Sequence, residues 1–159
     1  MAQMTSILVK DDAATPVEHA LYPVSDNPHP QWRETAYGVP VDGQIRYSLN
    51  IERTKNRAYK VTAKLEVPVM ETLGASGSSA GYVAPPKVAY VNTGIVTMFC
   101  DPRSTEQDRV NVLRMLTGIL QGAGDVTGTG TLTNTSAGQA FLTNYKPTPT
   151  AFRSLMLPN

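Results

Sequence analysis

Apolar and polar positions alternate most clearly in two neighbouring stretches. Over Gln44–Glu52, the residues Ile45, Tyr47, Leu49 and Ile51 alternate with Gln44, Arg46, Ser48, Asn50 and Glu52. Over Ala58–Val67, the residues Tyr59, Val61, Ala63, Leu65 and Val67 alternate with Lys60, Thr62, Lys64 and Glu66. Successive side chains of a strand point to opposite faces, so period two predicts two half-buried strands. The polar run Arg53–Arg57 between them predicts a hairpin connection. Pro68 is expected to end the second strand, because proline has no N–H to give a ladder. Upstream, Met4–Lys10 and Val17–Val24 read as short strands around the polar turn Asp11–Pro16, an N-terminal hairpin. The proline-rich segment Ser25–Gly43 shows little periodicity and reads as a long surface connection, with Trp32 and Tyr37 tucked against the body. Gly74–Ala84 reads as a flexible loop. Lys87–Cys100 reads as a further strand, interrupted at Gly94 and broken by Asp101-Pro102.

The period then changes. Val110, Leu113, Met115, Leu116, Ile119 and Leu120 form a broad stripe at helical spacing. Ser104 stands before them as an N-cap, with Gln107 three residues on as in a capping box. Glu106 and Asp108 fall in the first turn, where the helix dipole favours negative charge, and Gly122 provides a stop. Gly122–Thr135 is rich in Gly and Thr, Ala137–Thr143 gives a weak signal for a second helix, and Lys146–Asn159 reads as a tail. There are no internal repeats. The expected organisation is one domain over 1–159: a hairpin at about 4–24, a main sheet at 44–100, a helix at 104–121 and a C-terminal extension at 122–159.

Composition narrows the class. At 159 residues the chain is long enough to bury a core without disulfides or metals. Its 12 glycines and 12 prolines suit strands and turns rather than a helical bundle. Cys100 is the only cysteine, so an internal disulfide is impossible. His19 and His29 have no acid or cysteine at motif spacing and read as surface histidines. No glycine-rich phosphate loop follows a strand, and no carboxylate pair stands out for acid–base work. An enzyme is therefore the weakest class, and no cofactor or metal is expected. The N-terminal residues lack the pattern of a secretory signal, and no apolar run approaches the roughly 20 residues of a membrane span. The expectation is a soluble protein made in a cytoplasm.

Charge is distributed unevenly. The formal net charge is only +1. Yet Gln44–Glu66 holds six basic residues (Arg46, Arg53, Lys55, Arg57, Lys60, Lys64) against Glu52 and Glu66, a balance of +4. The rest of the chain holds eight basic and eleven acidic residues, a balance of −3. Arg46, Lys60 and Lys64 share a face with Ser48, Asn50 and Thr62. Cations attract phosphate, and short polar groups can bond sugars or base edges. The same pattern also describes an ordinary solvated sheet face, which is the reading the pattern alone favours. Tyr90 and Asn92 share a parity on the next strand, where a ring beside an amide suits stacking of an unpaired base with an edge contact. By itself, Tyr90 reads more readily as an aromatic packed on the core, because exposed aromatics are fewer than buried ones.

These residues resemble a known family. The run from Asn56 to Pro68, Asn-Arg-Ala-Tyr-Lys-Val-Thr-Ala-Lys-Leu-Glu-Val-Pro, resembles the central strand of levivirus-type coat proteins of single-stranded RNA bacteriophages. Tyr90-Val91-Asn92 resembles the Tyr-x-Asn of the strand that reads an RNA hairpin there. The run Ser104–Arg109 resembles the start of the family's first C-terminal helix, and the Asp-Asp-Ala-Ala-Thr-Pro turn fits its N-terminal hairpin. Together these cover roughly residues 4–121 in order.

The resemblance implies an α+β fold: an N-terminal β-hairpin, a five-stranded antiparallel sheet and C-terminal helices, as an interlocked dimer. Helices of one copy would cover the sheet of the other, and the two sheets would join edge to edge. It implies a structural subunit whose dimers form an icosahedral capsid around genomic RNA, and which binds an RNA hairpin as translational repressor. The loop at about Thr72–Pro86 would meet its copies around the symmetry axes. The implied RNA contacts are Arg46, Ser48, Asn50, Lys60, Thr62, Lys64, Tyr90 and Asn92. The chain departs from the family at Arg46, where a small hydroxyl residue is common, at Gly94, where an acid is common, and after Gly122. The implied partners are further copies of the chain and single-stranded RNA, with the virion as location and no membrane. A dimeric RNA-binding module that builds no shell would explain the basic face equally well.

Overall fold

The structure is a computed structural model that describes residues 3–11, 17–71 and 87–120 (backbone alone at 118–120), together with 151 and 154–157. The expected turn at 12–16, the loop at about Thr72–Pro86, the stop at Gly122 and the short helix at Ala137–Thr143 lie outside the described residues.

Six strands form one antiparallel sheet in chain order. They are β1 (Ile7–Lys10), β2 (Glu18–Ser25), β3 (Gln31–Glu34), β4 (Arg46–Arg53), β5 (Tyr59–Met70) and β6 (Val88–Cys100). A 3-10 turn at Val41–Gly43 precedes β4, and the helix α1 (Glu106–Leu120) follows β6. The expected N-terminal hairpin is β1–β2, with Ile7 opposite Leu21 and Lys10 opposite Glu18. It continues directly into the main sheet through β3.

Five local expectations change. Gln31–Glu34 is a strand, not part of a connection, and four residues are too few to show a period. Within it Trp32 is tucked away as expected, 1% exposed, but Tyr37 is fully exposed. Tyr37 sits at a turn whose next residue, Gly38, takes φ +76°, which turns the chain away from the body. Strand β5 runs through Pro68 to Met70, because proline withholds a single donor while keeping an extended backbone. Strand β6 is unbroken at Gly94. The helix cap also lies one residue later than expected. Thr105 Oγ1 accepts from the Asp108 N–H at 3.2 Å, and the Thr105 N–H donates to Asp108 Oδ2 at 3.0 Å, a reciprocal capping box. Ser104 instead donates its hydroxyl to Asp101 O.

Contacts divide the chain into two compact units. One holds Thr5–Ser48 and Ala63–Val96, and the other holds Met1–Met4, Leu49–Thr62 and Thr97–Asn159. In the first, Leu21, Trp32 and Pro30 are fully buried. The Trp32 indole N–H donates to Thr5 O at 2.9 Å, which satisfies its polar atom, and its ring meets Tyr47 at a centroid distance of 5.5 Å. In the second, Leu49, Val61, Met98, Cys100, Val110, Leu113 and Ala151 are buried. Of the odd-numbered β4 and β5 positions named by the alternation, Leu49 and Val61 are buried in this interior, whereas Leu65 is exposed. Val110 and Leu113 are the buried part of the helical stripe, while Met115 is exposed. In the C-terminal segment the Leu155 N–H donates to Ala151 O at 3.1 Å. Burial raises the Cys100 thiol pKa, partly opposed by the nearby Arg109 cation.

Candidate nucleic-acid interface

Strand register decides which side chains meet. Across β3 and β4, Gln31 lies opposite Ser48, Trp32 opposite Tyr47 and Arg33 opposite Arg46. Opposed residues share a face. Gln31 and Arg33 therefore join Arg46 and Ser48, while Trp32 and Tyr47 share the other side.

The first unit holds a cleft of about 450 Å³, lined by residues of both parities, Trp32 and Tyr47 among them. Its walls include Gln31 and Arg33 from β3, Arg46 and Ser48 from β4, and Lys64 and Glu66 from β5. Glu66 holds two cations: Lys64 Nζ lies 2.8 Å from Oε1, and Arg46 Nε lies 3.6 Å from Oε2. Tyr90 and Asn92 stand on β6 of the same unit, both exposed, with Tyr90 58% accessible. They do not line the cleft.

In the second unit, Asn50 and Lys60 gather around one acid. The Asn50 amide donates to Glu52 Oε1 at 2.6 Å, and Lys60 Nζ lies 3.5 Å from Glu52 Oε2. Thr62 is half-buried on β5. At the hairpin end, the Arg53 guanidinium lies 5.8 Å from the centre of the Tyr59 ring. The eight expected contacts thus fall into a cleft group (Arg46, Ser48, Lys64), an acid-centred pair (Asn50, Lys60), a β6 pair (Tyr90, Asn92) and Thr62. Half-exposed ion pairs of this kind are worth only about 0–1 kcal/mol. An arriving phosphate can therefore draw these cations away from their acids at small cost.

Sequence reasoning missed Gln31 and Arg33, and it treated Glu66 only as an opposing charge. The one signal for β3 was a tryptophan between polar neighbours in Gln-Trp-Arg-Glu, which places Gln31 and Arg33 on one parity. His19 also differs from expectation. It is no free surface histidine, because its Nδ1 lies 2.8 Å from Glu34 Oε1 and its Nε2 3.7 Å from Asp11 Oδ2. Its side chain is 22% exposed. The hydrogen bond to Glu34 is the main cause that raises its pKa above 6.5, with Asp11 adding to it and partial burial opposing. Pairing across strands brought together acids that lie far apart in the chain.

Among the described residues, no group of three or more His, Cys, Asp or Glu side chains could hold a metal ion. No helix there is long and apolar enough to cross a membrane. Fold and site together define a sheet protein with a cation-bearing polar cluster in each unit and a helix following the last strand.

Comparison with known proteins gives this class its family. The sequence pattern of the levivirus coat protein matches residues 2–142. The capsid protein of Pseudomonas phage PRR1 is 32% identical over 122 residues, which span 76% of this chain and 87% of that one. Among solved structures, the virus-like particle of bacteriophage EMS014 is 42% identical, covers 98% of this chain and 99% of its own, and superposes with a TM-score of 0.70. The capsid protein of bacteriophage GA, at 20% identity over 77% of this chain and 88% of its own, shares the fold with a TM-score of 0.55. The chain belongs to the levivirus coat protein family. Its relatives are structural capsid proteins, and its role is structural rather than catalytic.

Proposed function

We propose that the chain assembles as interlocked dimers into an icosahedral shell around single-stranded genomic RNA, and that its polar sheet face also binds an RNA hairpin as translational repressor and packaging signal. Synthesis in the bacterial cytoplasm followed by residence in the virion goes with this reading.

The observation that carries it is apolar surface left open in a single copy. In the first unit, Leu65, Val91 and Ile95 are exposed, and in the second, Phe99, Val112 and Met115 are exposed. Strand β6 is also the last in the sheet, with one edge unpaired among the described residues. Unpaired edges and open apolar positions invite association. A second copy satisfies both at once, through edge pairing of β6 and helices laid on the apolar side. The virus-like particle formed by the EMS014 relative supports assembly into a shell. Away from that apolar side, Arg46, Lys60 and Lys64 supply phosphate attraction and Ser48, Asn50 and Thr62 supply short polar groups; Tyr90 and Asn92, exposed on β6, supply a ring for stacking and an amide for an edge contact.

Size exclusion of the expressed protein with absorbance read at 260 nm tests the shell. Megadalton particles carrying nucleic acid are expected, and a small species with bound RNA would instead indicate a dimeric module without a shell. Tyr90→Ala tests the reading face. It should weaken hairpin binding by about 1–3 kcal/mol and leave assembly intact. Failed assembly with retained binding would refute the role given to Tyr90.

A further inference from the structure

His19 stands on β2, and its ring reaches both neighbouring strands. Nδ1 lies 2.8 Å from Glu34 Oε1 on β3, and Nε2 lies 3.7 Å from Asp11 Oδ2, one residue past the end of β1. Register explains the meeting. Val9 lies opposite His19 and Glu34 lies opposite Leu21, so these four share one face. Asp11 joins that face by continuing β1, since its N–H donates to Val17 O at 3.1 Å. Lys10 and Glu18, paired across β1 and β2, and Arg33, opposite Tyr22, take the other face. The two carboxylates are thus the charges that act on the ring. Asp11 Oδ1 also accepts the Val17 N–H at 2.7 Å, so the carboxylate that faces His19 closes the hairpin as well.

A ring set between two acids attracts both only as imidazolium, which carries an N–H on each nitrogen and a positive charge. The neutral ring keeps one N–H. Its other nitrogen then turns a lone pair toward a carboxylate oxygen, and attraction gives way to repulsion. Strand β1 has little else to hold it. It is four residues long, it pairs with β2 alone among the described residues, and Leu8, Val9 and Lys10 are exposed. Segments with few buried contacts open locally before the rest of a fold. Ahead of β1, the Trp32 indole N–H fixes Thr5 O at 2.9 Å, which confines such an opening to the stretch from there to Asp11. We propose that His19 is a proton-operated latch on the N-terminal hairpin: protonated, it ties Asp11 and Glu34 to one ring, and deprotonated, it lets β1 open from the sheet edge. Neither RNA nor the shell takes part in it.

Hydrogen–deuterium exchange of the full chain, followed by mass spectrometry from about pH 5.5 to about pH 9, tests this once rates are corrected for the intrinsic pH dependence of amide exchange. Protection over residues 6–11 should fall about three- to fivefold as the pH rises, while Arg46–Arg53 and Tyr59–Met70 keep theirs. Exchange at the imidazole Cε1–H on the same samples gives the His19 midpoint without an altered protein, and the loss of protection should follow that midpoint. His19→Gln, which stays neutral throughout, should make protection of 6–11 independent of pH. Constant protection while His19 titrates overturns the latch. A fall centred away from the His19 midpoint, an equal fall in His19→Gln, or a fall shared by every strand overturns it too.

Discussion

Replacing Ile95 with asparagine should disrupt self-association while leaving the single chain's own contacts nearly unchanged. Ile95 lies on β6 and is 59% exposed in one copy. Fully burying an isoleucine contributes about 1.5–3 kcal/mol, so covering the remaining three-fifths contributes roughly 1–2 kcal/mol. A two-fold interface uses the same residue twice, which makes about 2–4 kcal/mol per dimer. That corresponds to a dissociation constant about 30- to 700-fold weaker, before any cost of burying an unpaired amide. Within one copy the side chain gives up little, so the strand signal in circular dichroism should persist at high protein concentration. Sedimentation equilibrium across a dilution series measures the dimer constant, and electron microscopy reports assembly. A dimer constant within threefold of the parent, with normal particles, would refute the idea that this face is covered by a second copy.

Three further outcomes follow from local physics. Arg57 closes the β4–β5 hairpin at φ 63°, a left-handed conformation that costs an L-residue roughly 1 kcal/mol. Arg57→Gly should therefore raise stability by up to about 1 kcal/mol in urea denaturation, and a loss would show that its side chain matters more than its backbone. Thr105→Ala removes the cap hydroxyl that accepts from Asp108 and should destabilise by about 1 kcal/mol. Ser104→Ala, at the position expected from the sequence, should cost clearly less. For His19, the raised folded pKa means that its pairing with Glu34 stabilises fully below about pH 6.5. That contribution is lost as pH rises through the higher folded value. The urea midpoint should fall across that window by an amount equivalent to no more than about 1 kcal/mol. His19→Gln should flatten this part of the profile, and an unchanged slope would remove His19 from the account.

Much of the architecture was legible because burial imposes a period. Leu49 and Val61, read as inward from alternation alone, are fully buried, and the apolar stripe located α1. The misses share a cause: where fewer than two periods are present, alternation carries no signal. Strand β3 spans four residues between proline-containing segments and was hidden in an apparent connection. Its loss concealed Arg33, which only cross-strand register places opposite Arg46. Partners distant in sequence stayed invisible for the same reason, as with His19 and Glu34. The cap moved by one residue because Ser104 and Thr105 are both good caps, and the choice turned on which reciprocal acid sat three residues on. Tyr37 was misplaced because aromaticity predicts burial on average, whereas a turn tip decides it locally.

The proposed RNA contact lies on the strands carrying Arg46, Ser48 and Lys64 and not on the helix. Ultraviolet crosslinking of purified, RNA-containing particles, followed by mass spectrometry of the modified peptides, tests this most directly. Nucleotide adducts should fall within Arg46–Arg53, Tyr59–Met70 and around Tyr90. Adducts confined to Glu106–Leu120, with none on those strands, would contradict it.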